Sequence, residues 1–131
     1  MNDNKVLHKD LSYQIVGILF ETYNQLGYGY KEKYYEKGIE QYFISRNIKY
    51  TRQAPYKIRV NNKIIATNYI DFIVDEKIVL EIKKGNHFSK QNMDQVKQYL
   101  QITGLKLAIL ANFTPSGVKS IRILNPNNLQ K

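Results

Sequence analysis

The sequence NYIDFIVDEKIVLEIKKGN, residues 68–86, reads as two β-strands joined by a polar turn, because apolar residues dominate on both sides of DEK at 75–77. Asp71, Glu81 and Lys83 interrupt the apolar residues, although the core of a sheet normally excludes charged side chains. These three charges make the hairpin the first candidate for a functional site.

The alternation of side chains along a strand predicts how these charges are arranged. Glu81 and Lys83 lie on one face of their strand, and a turn at 75–77 places Asp71 directly opposite Glu81. Directly opposed like charges destabilise a strand pair by up to about 1 kcal/mol. A divalent cation reverses that effect, since Mg²⁺ and Mn²⁺ bind carboxylate oxygens.

Lys83 would stand beside such an ion, where an ammonium group can hold a phosphate or orient a water nucleophile. The alternative is that Asp71, Glu81 and Lys83 form a ladder of salt bridges on the wet face of the sheet, an arrangement that is common on exposed strands. The hairpin alone leaves both interpretations open.

The rest of the chain predicts one α/β (α+β) domain over residues 1–131, with a mixed sheet flanked by helices in the order αα-βββ-α-ββ. Ser12 and Ser89 are the predicted N-caps of the first and third helices, and Gly27 and Gly104 their predicted ends. The run LKLAILANF at 105–113 is predicted to be a central strand, followed by an edge strand. We expect residues 1–10 and 125–131 to be frayed.

Composition narrows the classes of partner. The chain has 20 Lys and Arg residues against 11 Asp and Glu, a net charge of +9, which favours a polyanion such as nucleic acid over a neutral partner. The alternative is a basic domain that is merely soluble. Cysteine is absent, which excludes disulfides and thiolate metal sites. No stretch approaches the roughly 18 apolar residues of a membrane span, and the first residues lack a signal sequence, so we expect a cytoplasmic protein.

Polar residues on two predicted helices add to the candidate site. Glu32 opens the second helix, where a third acidic group would approach the hairpin; the alternative is a first-turn Glu that complements the helix dipole. Gln95 and Tyr99 are four residues apart, so they share one face of the third helix. They either position a substrate or simply meet solvent.

Three patterns in this order resemble the PD-(D/E)XK nuclease superfamily, and within it the small bacterial GxxExxY family. GYKEKYY supplies Gly29, Glu32 and Tyr35, and QVKQY supplies the Gln-x-x-x-Tyr pattern of RecB-type, lambda-exonuclease-like cores. The hairpin supplies the superfamily's Asp followed by Glu-x-Lys. One departure is Ile70, where the superfamily nominally has proline.

The resemblance implies a restriction-endonuclease-like core with metal-dependent phosphodiesterase activity. The catalytic residues that it implies are Glu32, Asp71, Glu81, Lys83, Gln95 and Tyr99. It further implies that Mg²⁺ or Mn²⁺ is bound by Asp71, Glu81, Glu32 and the backbone carbonyl of Ile82.

Nucleic acid, with DNA as the first expectation, is the implied substrate. The residues predicted to contact it are Tyr35, Lys84, His87, Lys90 and Lys97, each with an ordinary solvated side chain as the alternative. The alternative function is an inactive module with the same fold that binds nucleic acid or docks a partner. The small size of the chain is consistent with a need for a protein partner or for self-association.

Overall fold

The computed structural model describes residues 6–127, which form eight elements in the predicted order αα-βββ-α-ββ. These are α1 (Lys9–Leu26), α2 (Glu32–Ser45), β1 (Tyr50–Val60), β2 (Lys63–Val74), β3 (Ile78–Lys84), α3 (Lys90–Thr103), β4 (Leu107–Thr114) and β5 (Gly117–Leu124). No helix within the described range is long and apolar enough to cross a membrane.

The five strands form one mixed sheet in the order β1-β2-β3-β4-β5. Only β3 and β4 are parallel, because α3 carries the chain from one end of β3 back to the start of β4. Helices α1 and α2 cover one face of the sheet, and α3 covers the other. Every residue of β4 is buried, as predicted for a central strand, and β5 is an edge strand.

The β2–β3 hairpin has the predicted register. Val74 pairs with Ile78, and the turn between them places Asp75 and Glu76 at φ 52° and 56°. The backbone pairing of β2 with β3 extends only to Phe72, whereas β2 pairs with β1 over almost its whole length. The two strands of the β1–β2 hairpin therefore continue beyond the third strand of the sheet.

Local signals explain most helix ends. The Ser89 hydroxyl accepts a hydrogen bond from the Asn92 N–H at 3.0 Å, and Gly27 and Gly104 end α1 and α3 at φ 69° and 74°. The predicted N-cap at Ser12 is wrong, because α1 already begins at Lys9. Ser12 is buried inside the helix, where its hydroxyl accepts a hydrogen bond from Arg122 at 2.7 Å.

The ordered structure also extends further than the predicted frayed ends allow. Residues 9 and 10 form the first turn of α1. Asn125 is fully buried, and its Nδ2 donates to the carbonyls of Leu100 and Leu105, both at 2.9 Å. The remainder of the prediction, at residues 1–5 and 128–131, lies outside the described residues.

Replacement of Asn125 tests this closing contact. Asn125→Ala leaves the carbonyls of Leu100 and Leu105 without their side-chain donor, so we expect the free energy of unfolding to fall by about 2 kcal/mol in urea titrations. Asn127→Ala is the matched control, because its side chain is exposed. Equal stability of the two variants would contradict a stabilising role for the two hydrogen bonds of the Asn125 side chain.

Candidate active site

Asp71 and Glu81 face each other where β2 separates from β3. The Asp71 carboxylate accepts a hydrogen bond from the Ile82 N–H at 2.8 Å, through Oδ2. The Glu81 carboxylate accepts one from the Asp71 N–H at 3.2 Å, through Oε1. Each acidic side chain thus binds the backbone of the opposite strand, in the arrangement that strand alternation predicts.

Burial strongly disfavours the charged form of both carboxylates. Glu81 is 3% exposed, and Asp71 is partly buried beside it. Desolvation is the main cause that raises the pKa of Asp71 to about 7 and the pKa of Glu81 to about 8, and the charge of Asp71 adds to the shift of Glu81. The pair therefore does not lie on a wet face of the sheet, although Glu81 forms an ion pair with Lys83.

Lys83 joins the carboxylate pair to an open cleft. Its ammonium nitrogen is 3.6 Å from Glu81 Oε2, and its side chain is 23% exposed. A polar cleft of about 480 Å³ begins at Lys83 and is lined by Gln95 and its neighbours on α3. The fold therefore brings Gln95 to the same cleft as Lys83, and its role there stays a prediction.

Glu32 reaches the C-terminal end of β3, one residue beyond Lys83. Its Oε2 accepts a hydrogen bond from the Lys84 N–H at 3.2 Å, while the Lys84 ammonium donates to the Tyr30 carbonyl at 3.0 Å. Within residues 6–127, no group of three or more His, Cys, Asp or Glu side chains is placed to hold a metal ion. Glu32 therefore does not form a ready three-carboxylate cluster with Asp71 and Glu81.

The chemistry of the Asp71–Glu81 pair nevertheless fits a divalent cation. Backbone N–H groups occupy one oxygen of each carboxylate and orient the side chains. The other oxygens, Asp71 Oδ1 and Glu81 Oε2, have only longer contacts, at 3.4 Å to Gln53 and 3.6 Å to Lys83. Mg²⁺ typically takes one or two protein carboxylates and keeps water in its other positions, and such an ion would offset the buried negative charge.

Two further residues that the sequence did not point to lie beside this pair: Gln53 contacts Asp71, and Glu36 contacts Gln53. The Gln53 amide donates to Glu36 at 2.8 Å and to Asp71 at 3.4 Å. Gln53 has φ 53°, a left-handed conformation that is unfavourable for a non-glycine residue and is concentrated at functional sites. Glu36 is buried one turn after Glu32, and this four-residue spacing was a usable signal. Nothing in the sequence around Gln53 marked it.

Asn112 is a third residue that sequence reasoning missed. It pairs with Lys83 in the parallel register, so the two side chains share one face of the sheet. Asn112 is 1% exposed, and neither polar atom of its amide has a hydrogen-bond partner among the residues that the structure describes. An unpaired buried amide costs about 1–3 kcal/mol. The signal was a lone polar residue in the apolar strand LAILANFT.

Tyr99 lies behind the carboxylate pair rather than in the open cleft. It is 2% exposed and packs edge-on against Tyr56, with ring centroids 5.4 Å apart. Burial first, and then the charge of Glu81, raises the pKa of Tyr99. Its ring therefore senses the charge of the site, and its catalytic assignment stays a prediction.

Tyr35 requires a correction. The resemblance assigns it to nucleic-acid contact, but its side chain is fully buried and stacks on Phe113 with centroids 4.1 Å apart. Its hydroxyl donates to the Gly27 carbonyl at 2.6 Å. Tyr35 has no exposed surface to offer a nucleic acid, and it instead fixes the loop between α1 and α2 to the core.

The remaining predicted contacts differ in their availability. Lys90 is exposed, but its ammonium pairs with Asp94 at 2.8 Å. Lys84 is partly buried, with its ammonium above the Tyr28 ring as well as bonded to Tyr30. His87 and Lys97 are exposed, on the loop before α3 and on α3 itself.

The model of the PD-(D/E)XK nuclease superfamily matches residues 9–123, and the chain therefore belongs to this superfamily. The superfamily is typically metal-dependent. No curated protein matches the chain.

Two solved structures resemble the fold. The crystal structure of SSO0001 has a TM-score of 0.54 at 22% identity, and the match covers 72% of this chain and 50% of that one. An alkaline exonuclease (LHK-Exo) from Laribacter hongkongensis has a TM-score of 0.40 at 12% identity, covering 70% of this chain and 54% of that one. The chain thus spans about half the length of each, and the likeness to SSO0001 supports the fold alone.

The carboxylate pair predicts how stability depends on pH without metal. The raised pKa values of Asp71 and Glu81 mean that the folded protein holds protons that the unfolded chain releases above its ordinary values of 3.8 and 4.5. We expect the free energy of unfolding in EDTA to fall by at least about 1 kcal/mol as the pH rises from about 4 to about 8. The double variant Asp71→Asn, Glu81→Gln should lose most of this pH dependence. If the pH dependence of stability is the same in the variant and the wild-type protein, the raised pKa values of Asp71 and Glu81 are contradicted.

The unpaired amide of Asn112 predicts an unusual gain in stability. Asn112→Leu replaces the amide with an apolar side chain that branches at the same carbon but is larger, so we expect the free energy of unfolding to rise by at most about 1 kcal/mol. Asn127→Leu, at an exposed position, is the control and should change stability little. A marked loss of stability in Asn112→Leu would show that the amide is satisfied in the folded protein.

Proposed function

We propose that this chain is a divalent-metal-dependent nuclease that hydrolyses phosphodiester bonds in DNA. The observation that carries the proposal is the buried Asp71–Glu81 pair, with Lys83 between it and an open polar cleft. Membership of the PD-(D/E)XK superfamily supports it. The order of Gly29, Glu32 and Tyr35 in GYKEKYY further supports assignment to the GxxExxY family.

In this proposal Asp71, Glu81 and the Ile82 carbonyl hold the ion, with Glu32 close to the end of the same strand. Mg²⁺ or Mn²⁺ bound there would supply a Lewis acid that lowers the pKa of a water and offsets negative charge on the phosphate. Two backbone N–H groups fix the orientation of the carboxylates, so little reorganisation is required before an ion binds. The burial of Glu81 keeps most of its side chain out of bulk water.

Lys83 is the proposed contact to the reacting phosphate or to the attacking water. Its ammonium has room to donate into the cleft, since its contact to Glu81 is a long one of 3.6 Å. Gln95 would donate to the substrate backbone from across the cleft. Tyr99 would support the pair from behind, and Lys84, His87, Lys90 and Lys97 would supply weaker phosphate contacts around the opening.

A second candidate is a module that binds nucleic acid without cleaving it. The observation that favours it is that the described residues hold no group of three acidic or histidine side chains placed for a metal. This alternative predicts salt-sensitive binding to DNA that is indifferent to divalent ions and to Lys83.

A cleavage assay separates the two functions. Labelled DNA incubated with the protein and Mg²⁺ or Mn²⁺ should be hydrolysed, and we expect Asp71→Asn and Lys83→Ala to reduce the rate by about 100-fold or more. Lys119→Ala, an exposed charge on the far edge strand, is the matched control and should retain the rate. Thermal unfolding of each variant checks that the fold survives.

Asn112→Leu gives this assay an additional arm. We expect the variant to cleave DNA more slowly, because the Asn112 amide lies on the same face of the sheet as Lys83. Slower cleavage by a more stable variant is a combination that partial unfolding cannot produce. Absence of cleavage of DNA and RNA with any divalent ion, by protein that is fully folded, would refute the nuclease proposal and leave the binding module.

A further inference from the structure

The part of the β1–β2 hairpin that extends beyond the sheet, residues 55–69, is here called the free ribbon. It begins after the pair Ala54–Ile70, where both side chains are buried against the α3 side of the sheet. Within the part of the chain that the structure describes, no third strand pairs with it. Apart from Tyr56 and Ile58, all of its residues are exposed. The free ribbon therefore presents two strands to solvent.

All charged residues of the free ribbon are basic. It contains Lys57, Arg59 and Lys63 and no acidic residue. Lys57 pairs with Thr67, and Arg59 pairs with Ile64, so both cations lie on one face. That face also carries Tyr69, which is 53% exposed. The opposite face begins at Tyr56, which packs on Tyr99 of α3.

The free ribbon leaves the sheet at the candidate active site. Strand β2 runs from the ribbon through Ile70 directly into Asp71. Strand β1 meets the same point through Gln53, whose amide is 3.4 Å from the Asp71 carboxylate. A duplex whose groove encloses both faces of the ribbon would therefore reach the carboxylate pair at the base of the ribbon, although Lys57 and Arg59 lie on the face turned away from α3.

We propose that the free ribbon enters the major groove of duplex DNA, with Lys57 and Arg59 on its phosphates or base edges, and so makes duplex DNA the substrate class of the adjacent site. This inference rests on the proposed nuclease function. A two-stranded ribbon fits the major groove of B-form DNA, which is about 12 Å wide, whereas the minor groove is about 6 Å wide. The major groove of duplex RNA is too deep and narrow for side chains to read.

The same features disfavour a second copy of this chain as the occupant. Ribbon-to-ribbon pairing would bring the cations of two copies together, and opposed like charges destabilise paired strands. Pro55 lies on the outer edge of β1, and Ile65 has no partner because the register shifts between Ile58 and Arg59. Both an edge proline and a bulge hinder the addition of another strand.

Binding by an uncleaving protein tests the proposal. In an Asp71→Asn background, the double substitution Lys57→Ala, Arg59→Ala should weaken binding to a short DNA duplex by at least about tenfold in fluorescence anisotropy. The slope of log affinity against log salt should fall by about two. Duplex RNA of the same sequence should lose markedly less affinity.

The matched control removes two positive charges elsewhere. Lys9→Ala, Lys119→Ala acts on α1 and β5, away from the ribbon edge of the sheet, and should retain most of the affinity. The four substituted cations are exposed, and thermal unfolding verifies that each variant is folded. Equal losses in the ribbon and control variants, or equal losses on duplex DNA and duplex RNA, would overturn the proposal.

The design keeps the two proposals separable, because binding is measured without cleavage. If binding depends on the free ribbon but the wild-type protein never cleaves DNA, the result would support the proposal that the ribbon binds duplex DNA and refute the proposed nuclease function. Cleavage of duplex DNA by wild-type protein that is unchanged on replacement of Lys57 and Arg59 would refute the ribbon alone.

Discussion

The opposition of two buried carboxylates across β2 and β3 is the constraint on which the site depends. Asp71 and Glu81 each accept a backbone hydrogen bond from the other strand, so the acidic groups themselves hold the strands together at this position. Burial opposes their ionisation, and one Lys83 ammonium at 3.6 Å does not balance two negative charges. Both carboxyl groups therefore hold their protons more tightly than exposed carboxyl groups do, and in the proposed function a divalent cation would offset their charge.

The same position determines the shape of the surface around the site. Beyond Asp71, β2 leaves β3 and continues with β1 alone as the free ribbon. Ile70 packs with α3, while Phe72 packs with α1 and α2 on the other face. The regular alternation of a strand is therefore interrupted at Asp71, and the left-handed Gln53 lies beside it. One local irregularity thus gives both the carboxylate pair and the projecting ribbon.

Sequence reasoning succeeded where local rules decide the outcome. The hairpin register followed from strand alternation and the length of the turn, and helix ends followed from Ser89 and the glycines. It failed where a distant contact decides: Ser12 is bound by Arg122, more than a hundred residues away, and Tyr35 is buried by Phe113. Periodicity indicates which face a residue occupies, but it does not show how deeply that face is covered, and it gives no warning of an irregular φ such as that of Gln53.

Three unfavourable features meet around Lys83, and their coincidence argues for function more strongly than any one of them. They are the opposed buried carboxylates, the unpaired amide of Asn112 in register with Lys83, and the left-handed backbone of Gln53 against Asp71. Each costs on the order of 1–3 kcal/mol. The apolar clusters on both faces of the sheet supply the stability that tolerates them. A sheet that needed only to be stable would replace these residues with apolar ones, whereas a site that binds a cation and a phosphate requires polar groups held in place before the ligands arrive.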